Sequence, residues 1–304
     1  MAESGIASAH FHEEINMELP EVISGIAEVR AALKVGEKAE ISLRRSMLNQ
    51  PFDVALPALL LEEYSSSVEE GRRVEVVRPQ NAIARARWDE LDSEGEVCGI
   101  PVETPASLPS VKEFDLHDGK ISRYLLDRVS ERIELYPDVR SLVYACLKEL
   151  TDNAKVHALP DAKAVAAIQV LPETESRWDG ISLCVLDSGT GIPATLRRHK
   201  RYHGEKDDRN LIELAVQRGV TGTRDNRGFG LWIIRKLLEE NQGQLWILSG
   251  SAMMRYNMSN FNVYRRFTKS AFQGTAVQIE ISNSPDYRFH FEDYMSDIEV
   301  DTLW

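Results

Sequence analysis

The sequence ELTDNAKVH at residues 149–157 continues a helical pattern that begins near Asp138. Apolar residues recur there at three- and four-residue intervals, which predicts an amphipathic helix over residues 138–158 with one buried stripe. The stripe consists of Val143, Cys146, Leu147, Leu150 and Ala154. Beside it, Glu149, Asn153 and His157 recur every fourth residue, so they share one polar ridge of the helix.

This polar ridge has two interpretations. An Asn carbonyl oxygen and phosphate oxygens together suit a hard cation such as Mg2+. A carboxylate one turn away could orient or deprotonate a water molecule. Alternatively, the ridge is the solvated face of an amphipathic helix. The ridge by itself leaves both interpretations open.

A second segment, DSGTGI at residues 187–192, follows a predicted buried strand over residues 181–187. Asp187 would end this strand, and Gly189 and Gly191 would form a tight turn before Ile192. A flat ligand can lie against such a turn, and the carboxylate can accept a hydrogen bond from an exocyclic amine such as that of adenine. The D-x-G-x-G pattern alone is weak, and an ordinary turn remains the alternative.

Two further segments place glycine beside a predicted element. GTRDNRGFGL at residues 222–231 precedes a predicted helix over residues 230–243, so backbone N–H groups could approach phosphate oxygens at the positive end of that helix. Gly274 and Thr275 open a predicted strand that includes residues 275–281. The Thr275 hydroxyl could help to fix a base through Asp187, or the pair could merely start the strand.

Taken in chain order, E-L-x-x-N-A-x-x-H at 149–157, D-x-G-x-G-I at 187–192, G-T-R-x(3)-G-F-G-L at 222–231 and G-T at 274–275 resemble the GHKL ATPase superfamily. That superfamily groups DNA gyrase, heat-shock-90-type chaperones, sensor histidine kinases and the MutL mismatch-repair proteins. The resemblance implies an α/β fold, a two-layer sandwich of a mixed sheet and helices (the Bergerat-type ATP-binding fold). ATP would lie between helices under a mobile lid.

The resemblance also implies roles for the matching residues. Asn153 would coordinate Mg2+ at the phosphates, and Asp187, with Thr275, would bind adenine. Glu149 would be the catalytic general base of hydrolysing members, or a structural or magnesium-side residue as in kinases. The other implied ATP-binding residues are Gly189, Gly191, Ile192, Thr223, Arg224, Gly228, Phe229, Gly230 and Leu231. Residues 193–226 would be the lid, and its basic residues, which could meet phosphate, an acidic partner or only solvent, are Arg197, Arg198, His199, Lys200, Arg201 and Lys206.

Composition excludes several classes of protein. The 304 residues are 43% hydrophobic and 28% charged, which is typical of a globular chain of about two domains. A net charge of −12 disfavours non-specific binding to nucleic acid or to an anionic membrane by the whole surface. The widely spaced Cys98, Cys146 and Cys184 predict neither a disulfide nor a zinc framework. Without a signal-peptide pattern or an apolar run of membrane-spanning length, we expect a cytoplasmic protein.

A seam rich in proline, glycine, serine and threonine at residues 93–112 separates two predicted domains. Ahead of it we predict strands at 39–45 and 72–79 and helices at 52–71 and 80–91. Such alternation predicts a small α/β accessory domain over residues 1–105. It weakly resembles STAS-like domains, but no hydroxyl stands at Val54 or Ala55, where those domains carry a phosphorylatable Ser; an unrelated α/β module is the alternative. The ATP-binding domain is expected over 113–284, with an acidic tail over 285–304.

We therefore expect a Mg-ATP-binding, histidine-kinase-like signalling regulator that phosphorylates or signals to a protein partner in trans. His117, in FDLHDGK, does not fit the phosphoacceptor pattern H-E-x-R-x-P of sensor kinases, so phosphorylation of this chain on histidine in cis is not expected. One alternative is a gyrase- or MutL-like ATP-hydrolysing conformational switch with nucleotide-dependent dimerisation. Another is a non-catalytic ATP sensor. Neither membrane nor nucleic acid is an expected partner, and a homodimer is common in the superfamily.

Overall fold

The computed structural model describes residues 120–131, 133–157, 164–171, 173, 179–222, 228–258 and 262–290, with strand backbone also at 39–42, 74–77 and 110–113. Of residues 262 and 264–270, the backbone alone is described. These parts of the chain contain two sheets and five helices.

The larger sheet has five strands in the order β3-β4-β5-β7-β6, and each neighbouring pair is antiparallel. Its strands are β3 (Ser110–Glu113), β4 (Ala164–Leu171), β5 (Gly180–Asp187), β6 (Gln244–Asn257) and β7 (Asn262–Ser282). Because β5 is central, Asp187 at its carboxyl end has neighbours on both sides, Ala164 on β4 and Thr275 on β7. The smaller sheet is a parallel pair of β1 (Ala39–Ser42) and β2 (Val74–Val77).

The five helices are α1 (Ile121–Ser130), α2 (Pro137–Val156), α3 (Ile192–Arg197), α4 (Asp208–Ala215) and α5 (Gly230–Asn241). Pro137 suits the first turn of α2, where its missing N–H has no helical partner to lose. The side chain of Asn283 fixes this end of the helix, since it accepts a hydrogen bond from the Tyr136 N–H at 3.1 Å and donates one to the Glu134 carbonyl at 3.0 Å. The predicted helix over 138–158 is thus confirmed.

The main core lies between one face of the five-stranded sheet and helices α1, α2 and α5. The predicted α2 stripe is buried throughout, and none of its five side chains exposes more than 2% of its surface. Full burial of each aliphatic side chain of this kind contributes about 1.5–3 kcal/mol before entropy is counted. The two-layer α/β sandwich is therefore confirmed, although the described strands of its five-stranded sheet are all antiparallel rather than mixed.

Strand β7 extends far beyond the predicted strand that includes residues 275–281. Strands β6 and β7 remain paired as far as Asn257 and Asn262. A register shift on either side of Gly250 marks a bulge, and Gly250 has a φ of +59°. The residue that follows β6 contacts the residue that precedes it, because the Met258 N–H donates to the Gly243 carbonyl at 3.0 Å.

The positions of β1, β2, β3 and the residues after β7 can be compared with the predicted domain boundaries. Strands β1 and β2 lie within the predicted strands at 39–45 and 72–79, and the helices predicted at 52–71 and 80–91 lie outside the described residues. Strand β3 lies partly within the predicted seam and pairs with β4. At the other end, Tyr287 is buried and Phe289 packs on the core, so the first residues of the predicted tail join the domain. No described helix has the length and apolarity needed to span a bilayer.

Candidate nucleotide site

The polar ridge of α2 lies against the first residue of α5. A Cβ atom added to Gly230 would stand 2.8 Å from Glu149 Oε2 and 3.1 Å from Asn153 Nδ2, closer than carbon normally approaches either atom. Only a residue without a side chain lets these two polar groups approach the α5 backbone. The first and third sequence segments therefore meet at one point.

Asn153 also carries an unsatisfied group. Its Nδ2 atom is buried and has no hydrogen-bond partner among the described residues. A buried polar donor left unpaired costs about 1–3 kcal/mol, so such groups in native proteins point to a ligand or a bound water. The side-chain amide presents one donor group and one acceptor oxygen, which suits a site for phosphate and a hard cation.

The amino end of α5 supplies the backbone groups expected for phosphate binding. Neither a side-chain cap nor an acidic residue in the first turn neutralises this helix end, and uncapped N–H groups at a helix start attract anions. Ahead of it, the Gly219 N–H donates to the Gly228 carbonyl at 3.2 Å and closes the loop between α4 and α5. The Phe229 and Leu231 side chains pack on the core. Thr223 and Arg224 lie outside the described residues.

Asp187 and the following turn lie beside the carboxyl end of α2, where the helix ends at His157. Asp187 is 5% exposed, and its Oδ1 accepts a hydrogen bond from the Gly189 N–H at 2.8 Å. A Cβ on Gly189 would stand 2.5 Å from the His157 carbonyl oxygen, and the Thr190 N–H donates to that same carbonyl at 3.3 Å. The second segment is thus in contact with the end of the first.

The fourth segment, Gly274 and Thr275, packs against the second segment, residues 187–192. Gly274 has a φ of +102°, and a Cβ there would overlap the Asp187 carbonyl oxygen, so this position requires glycine. Gly191 has a φ of +82°, and a Cβ there would lie 2.8 Å from the Gly274 carbonyl oxygen. Thr275 pairs with Asp187 across the two central strands.

Ser249 joins these pieces, and sequence reasoning missed it. Its hydroxyl accepts from the Ile192 N–H at 2.9 Å and donates to the Gly274 carbonyl at 2.7 Å. The same oxygen lies 3.4 Å from the Thr275 hydroxyl. One buried serine on β6 thereby holds the start of α3 against β7. In the sequence, the role of Ser249 is indicated only by the glycine that follows it, Gly250, and that signal is weak.

Where it is described, the predicted lid contains most of α3 and all of α4. Arg197 does not face a ligand: its guanidinium pairs with Asp208 at 2.5 Å and donates to the Glu205 carbonyl at 2.8 Å. Asp208 in turn accepts from the Ser251 N–H at 2.7 Å, which joins α4 to β6. Burial alone would raise the pKa of Asp208, but the Ser251 donors and the Arg197 charge together hold it below its ordinary value. The other predicted lid cations, all exposed, are Arg198, His199, Lys200, Arg201 and Lys206.

His157, the last ridge residue, is half-buried beside the turn. Burial lowers the pKa of its imidazole, and the nearby positive charge of Arg198 lowers that pKa further. The ring is therefore held in its neutral form at physiological pH. Among the described residues no group of three or more His, Cys, Asp or Glu side chains could hold a metal ion. A cation at Asn153 would consequently need ligands from phosphate and water, as Mg2+ commonly does.

Comparison with known proteins agrees with this geometry. The family model "Histidine kinase-, DNA gyrase B-, and HSP90-like ATPase" matches residues 138–285. The "Sensor histidine kinase PdtaS" of Mycobacterium tuberculosis, in strains CDC 1551 / Oshkosh and ATCC 25618 / H37Rv, is 25% identical over 75% of this chain and 48% of the relative. The chain thus spans about half the length of these curated relatives.

Among solved structures, the "Mycobacterial sensor histidine kinase MprB" matches 57% of this chain and 99% of that chain, at 16% identity and a TM-score of 0.30. The family assignment rests instead on the matched residues and on the contacts among the four segments. The match begins one residue after the start of α2 and ends three residues after β7. Residues 138–285 therefore form a domain of the histidine kinase-, DNA gyrase B- and HSP90-like ATPase family.

Proposed function

We propose that this domain binds Mg-ATP in the cleft between α2 and the start of α5. The observation that carries the proposal is the contact of Glu149 and Asn153 with Gly230, at a helix amino end that has no acidic residue in its first turn. An anion is favoured there by the helix dipole and by N–H groups that have no side-chain cap. The orphaned Asn153 amide points to a ligand at the same place.

The adenine would bind beside Asp187, in the pocket formed by the Gly189–Gly191 turn and Thr275. The Asp187 carboxylate already accepts from the Gly189 N–H, which orients it. A carboxylate buried to this degree offers a strong acceptor for the adenine amine. The phosphates would extend toward Gly228, Gly230 and Leu231. Thr223 and Arg224 are proposed as further ATP-binding residues.

The magnesium ion fits the residues present. Asn153 would supply one oxygen ligand, and Glu149 stands beside it to hold a coordinated water. When bound, the ion would neutralise phosphate charge and orient the triphosphate. The chain's own contribution is positioning, because phosphoryl transfer depends mainly on orientation and on electrostatic stabilisation.

We propose that the γ-phosphate passes to a partner protein in trans. Similarity to proteins named sensor histidine kinases supports a kinase-like reaction. His117 departs from the phosphoacceptor pattern and lies outside the described residues. The acceptor would then be a side chain of another protein, and a signalling role follows from that transfer.

A second candidate is an ATP-hydrolysing switch. It is favoured by the position of the Glu149 carboxylate next to Asn153, where it could take a proton from an attacking water. Nucleotide would then close the site and pair two subunits. A non-catalytic ATP sensor would use the same cleft without either reaction.

Titration of the full chain with Mg-ATP tests the proposal. Asn153→Ala and Asp187→Ala should each weaken binding at least tenfold, because one removes the phosphate-side amide and the other the adenine acceptor. Asp152→Ala is the matched control on α2, since Asp152 is half-exposed and pairs with Lys148 at 2.6 Å. Equal affinity in all four proteins would refute the assignment. γ-labelled ATP then shows whether phosphate reaches a partner, the chain itself, water or nothing.

A further inference from the structure

Three polar residues lie side by side at one end of the five-stranded sheet, one on each of the neighbouring strands β6, β7 and β5. Ser249 is paired with Thr275, and Thr275 is paired with Asp187. Directly paired residues of antiparallel strands place their side chains on the same face of the sheet, with Cβ atoms about 4.5–5.5 Å apart. The three side chains therefore form one row across the sheet, here called the polar row.

The polar row lies on the helix-covered face of the sheet. Side chains alternate between the two faces along each strand, so residues two positions apart share a face. On each of the three strands, the residue two positions from the polar row belongs to the main core, and these core residues are Ile247, Val277 and Val185. Three apolar stripes therefore end in polar side chains at the edge of the proposed adenine pocket.

The hydrogen bonds of Ser249 determine what it can offer to Thr275. A serine hydroxyl has one hydrogen to donate and two lone pairs with which to accept. Its hydrogen goes to the Gly274 carbonyl at 2.7 Å, because a carbonyl oxygen can only accept. One lone pair accepts from the Ile192 N–H at 2.9 Å. Toward the Thr275 hydroxyl, 3.4 Å away, Ser249 can therefore act only as an acceptor.

The backbone around Ser249 holds its hydroxyl in this orientation. Both short hydrogen bonds of Ser249 go to main-chain groups, one at the start of α3 and one on β7. A Cβ on Gly191 would stand 2.9 Å from the Ser249 hydroxyl oxygen and 2.8 Å from the Gly274 carbonyl oxygen. Glycine at position 191 thus leaves room for the bond between them, and the orientation of Ser249 does not depend on any flexible side chain.

The orientation of Ser249 in turn determines that of the Thr275 hydroxyl. Since Ser249 can only accept, Thr275 is the donor in their contact and its hydrogen points toward β6. The contact is longer than an ordinary O–H···O bond of about 2.5–3.0 Å, so it favours this orientation weakly. The lone pairs of Thr275 are then available on the side of β5, where Asp187 carries a carboxylate that also accepts.

We propose that Ser249 is a specificity-determining positioning residue, which turns the Thr275 hydrogen away from the base so that Thr275 and Asp187 present two acceptors to it. Two acceptors suit the two hydrogens of an exocyclic amine, such as that of adenine. A base with a carbonyl oxygen at that position is disfavoured, because its acceptor would meet acceptors and remain unpaired. The inference rests on the proposed adenine site and adds to it the residue that sets the preference for an amine.

Calorimetric titration of the full chain with Mg-ATP and with Mg-ITP measures this preference, because inosine carries a carbonyl oxygen where adenosine carries the amine. We expect wild type to prefer ATP by about tenfold, the effect of one hydrogen bond. In Ser249→Ala the Thr275 hydrogen is free to turn toward the base, so the ratio of ATP affinity to ITP affinity should fall most of the way to one. Ser251→Ala is the matched control on β6, since the Ser251 hydroxyl donates to Asp208 at 2.8 Å, and it should keep the wild-type ratio.

Thr275→Val provides a second test that leaves Ser249 unchanged. Valine has nearly the shape of threonine without the hydroxyl, so ATP affinity should fall by about tenfold and ITP affinity much less. The ratio of the two affinities should therefore fall. In the double variant Ser249→Ala/Thr275→Val the ratio should equal that of Thr275→Val alone, because no hydroxyl remains to be turned.

A ratio that rises in Thr275→Val would overturn the proposal, because the Thr275 hydroxyl would then donate to the base. An unchanged ratio in Ser249→Ala, with ATP and ITP affinities that fall equally, would also overturn it. That result is expected if Ser249 only holds the backbone together. Failure of the adenine site itself gives a different result, in which wild type does not bind ATP or Asp187→Ala binds ATP as tightly as wild type, and this would overturn both proposals.

Discussion

Replacement of Gly230 by alanine tests the nucleotide site with the smallest perturbation available. The new Cβ would lie 2.8 Å from Glu149 Oε2 and 3.1 Å from Asn153 Nδ2. Carbon contacts with such atoms are ordinarily about 3.5–4.0 Å, so each polar group must shift by roughly 0.5 Å or more. Glu149 can move cheaply because its carboxylate ends a flexible side chain. The half-buried Asn153 amide, whose Nδ2 atom is fully buried, has less freedom to move.

The effect on stability should be small. Alanine is favoured over glycine within a helix by up to about 1 kcal/mol, which offsets much of the strain from the shifted side chains. A net change of about 1 kcal/mol moves the Tm of a domain this size by roughly 2–4 °C. Binding should suffer more, because the two displaced groups are those proposed to face the phosphates and the metal. We expect Mg-ATP affinity to fall at least tenfold, equivalent to about 1.4 kcal/mol.

The assay is calorimetric titration of the full chain with Mg-ATP, beside a thermal melt of each protein. Gly204→Ala is the matched control, since Gly204 is exposed and an added Cβ there would meet nothing within 4 Å. The double variant Glu149→Ala/Gly230→Ala removes the closest clash and should regain part of the lost affinity. A Gly230→Ala protein that binds Mg-ATP within twofold of wild type would refute the proposed place of the phosphates.

Three further predictions concern single side chains. Glu149→Gln should keep ATP affinity but abolish phosphate release if the domain is a hydrolysing switch, and unchanged release in a γ-labelled assay would exclude that switch. Asp187→Ala should reduce the preference for ATP over GTP in competition titrations, because it deletes the proposed acceptor for the adenine amine; an unaltered preference would place the base elsewhere. The pKa of His157 is lowered by burial and by Arg198, so the unfolded chain takes up the proton first as pH falls below about 6.5. The stability of the wild-type chain relative to His157→Gln should therefore decrease from pH 7 to pH 5 in urea titrations, less steeply in an Arg198→Gln background; a difference that does not depend on pH would contradict this.

Much of the site could be predicted because its signals are local. The ridge of α2 follows from four-residue spacing alone, since helical geometry fixes which side chains share a face. Gly274 and Gly191 were identifiable because positive φ values and close backbone approach leave few residues other than glycine. Likewise, the start of α5 at Gly230 follows from the glycines that precede an amphipathic run.

The rest could not be predicted because it depends on distant pairing. Strand β4 was missed, since AVAAIQVL is apolar apart from Gln169 and shows neither a two-residue nor a 3.6-residue period. Ser249 acquires its role only from the register of β6 on β7 and from the bulge at Gly250. The pairing of Arg197 could not be predicted either, because its partner, Asp208, lies on the next helix and not in any motif.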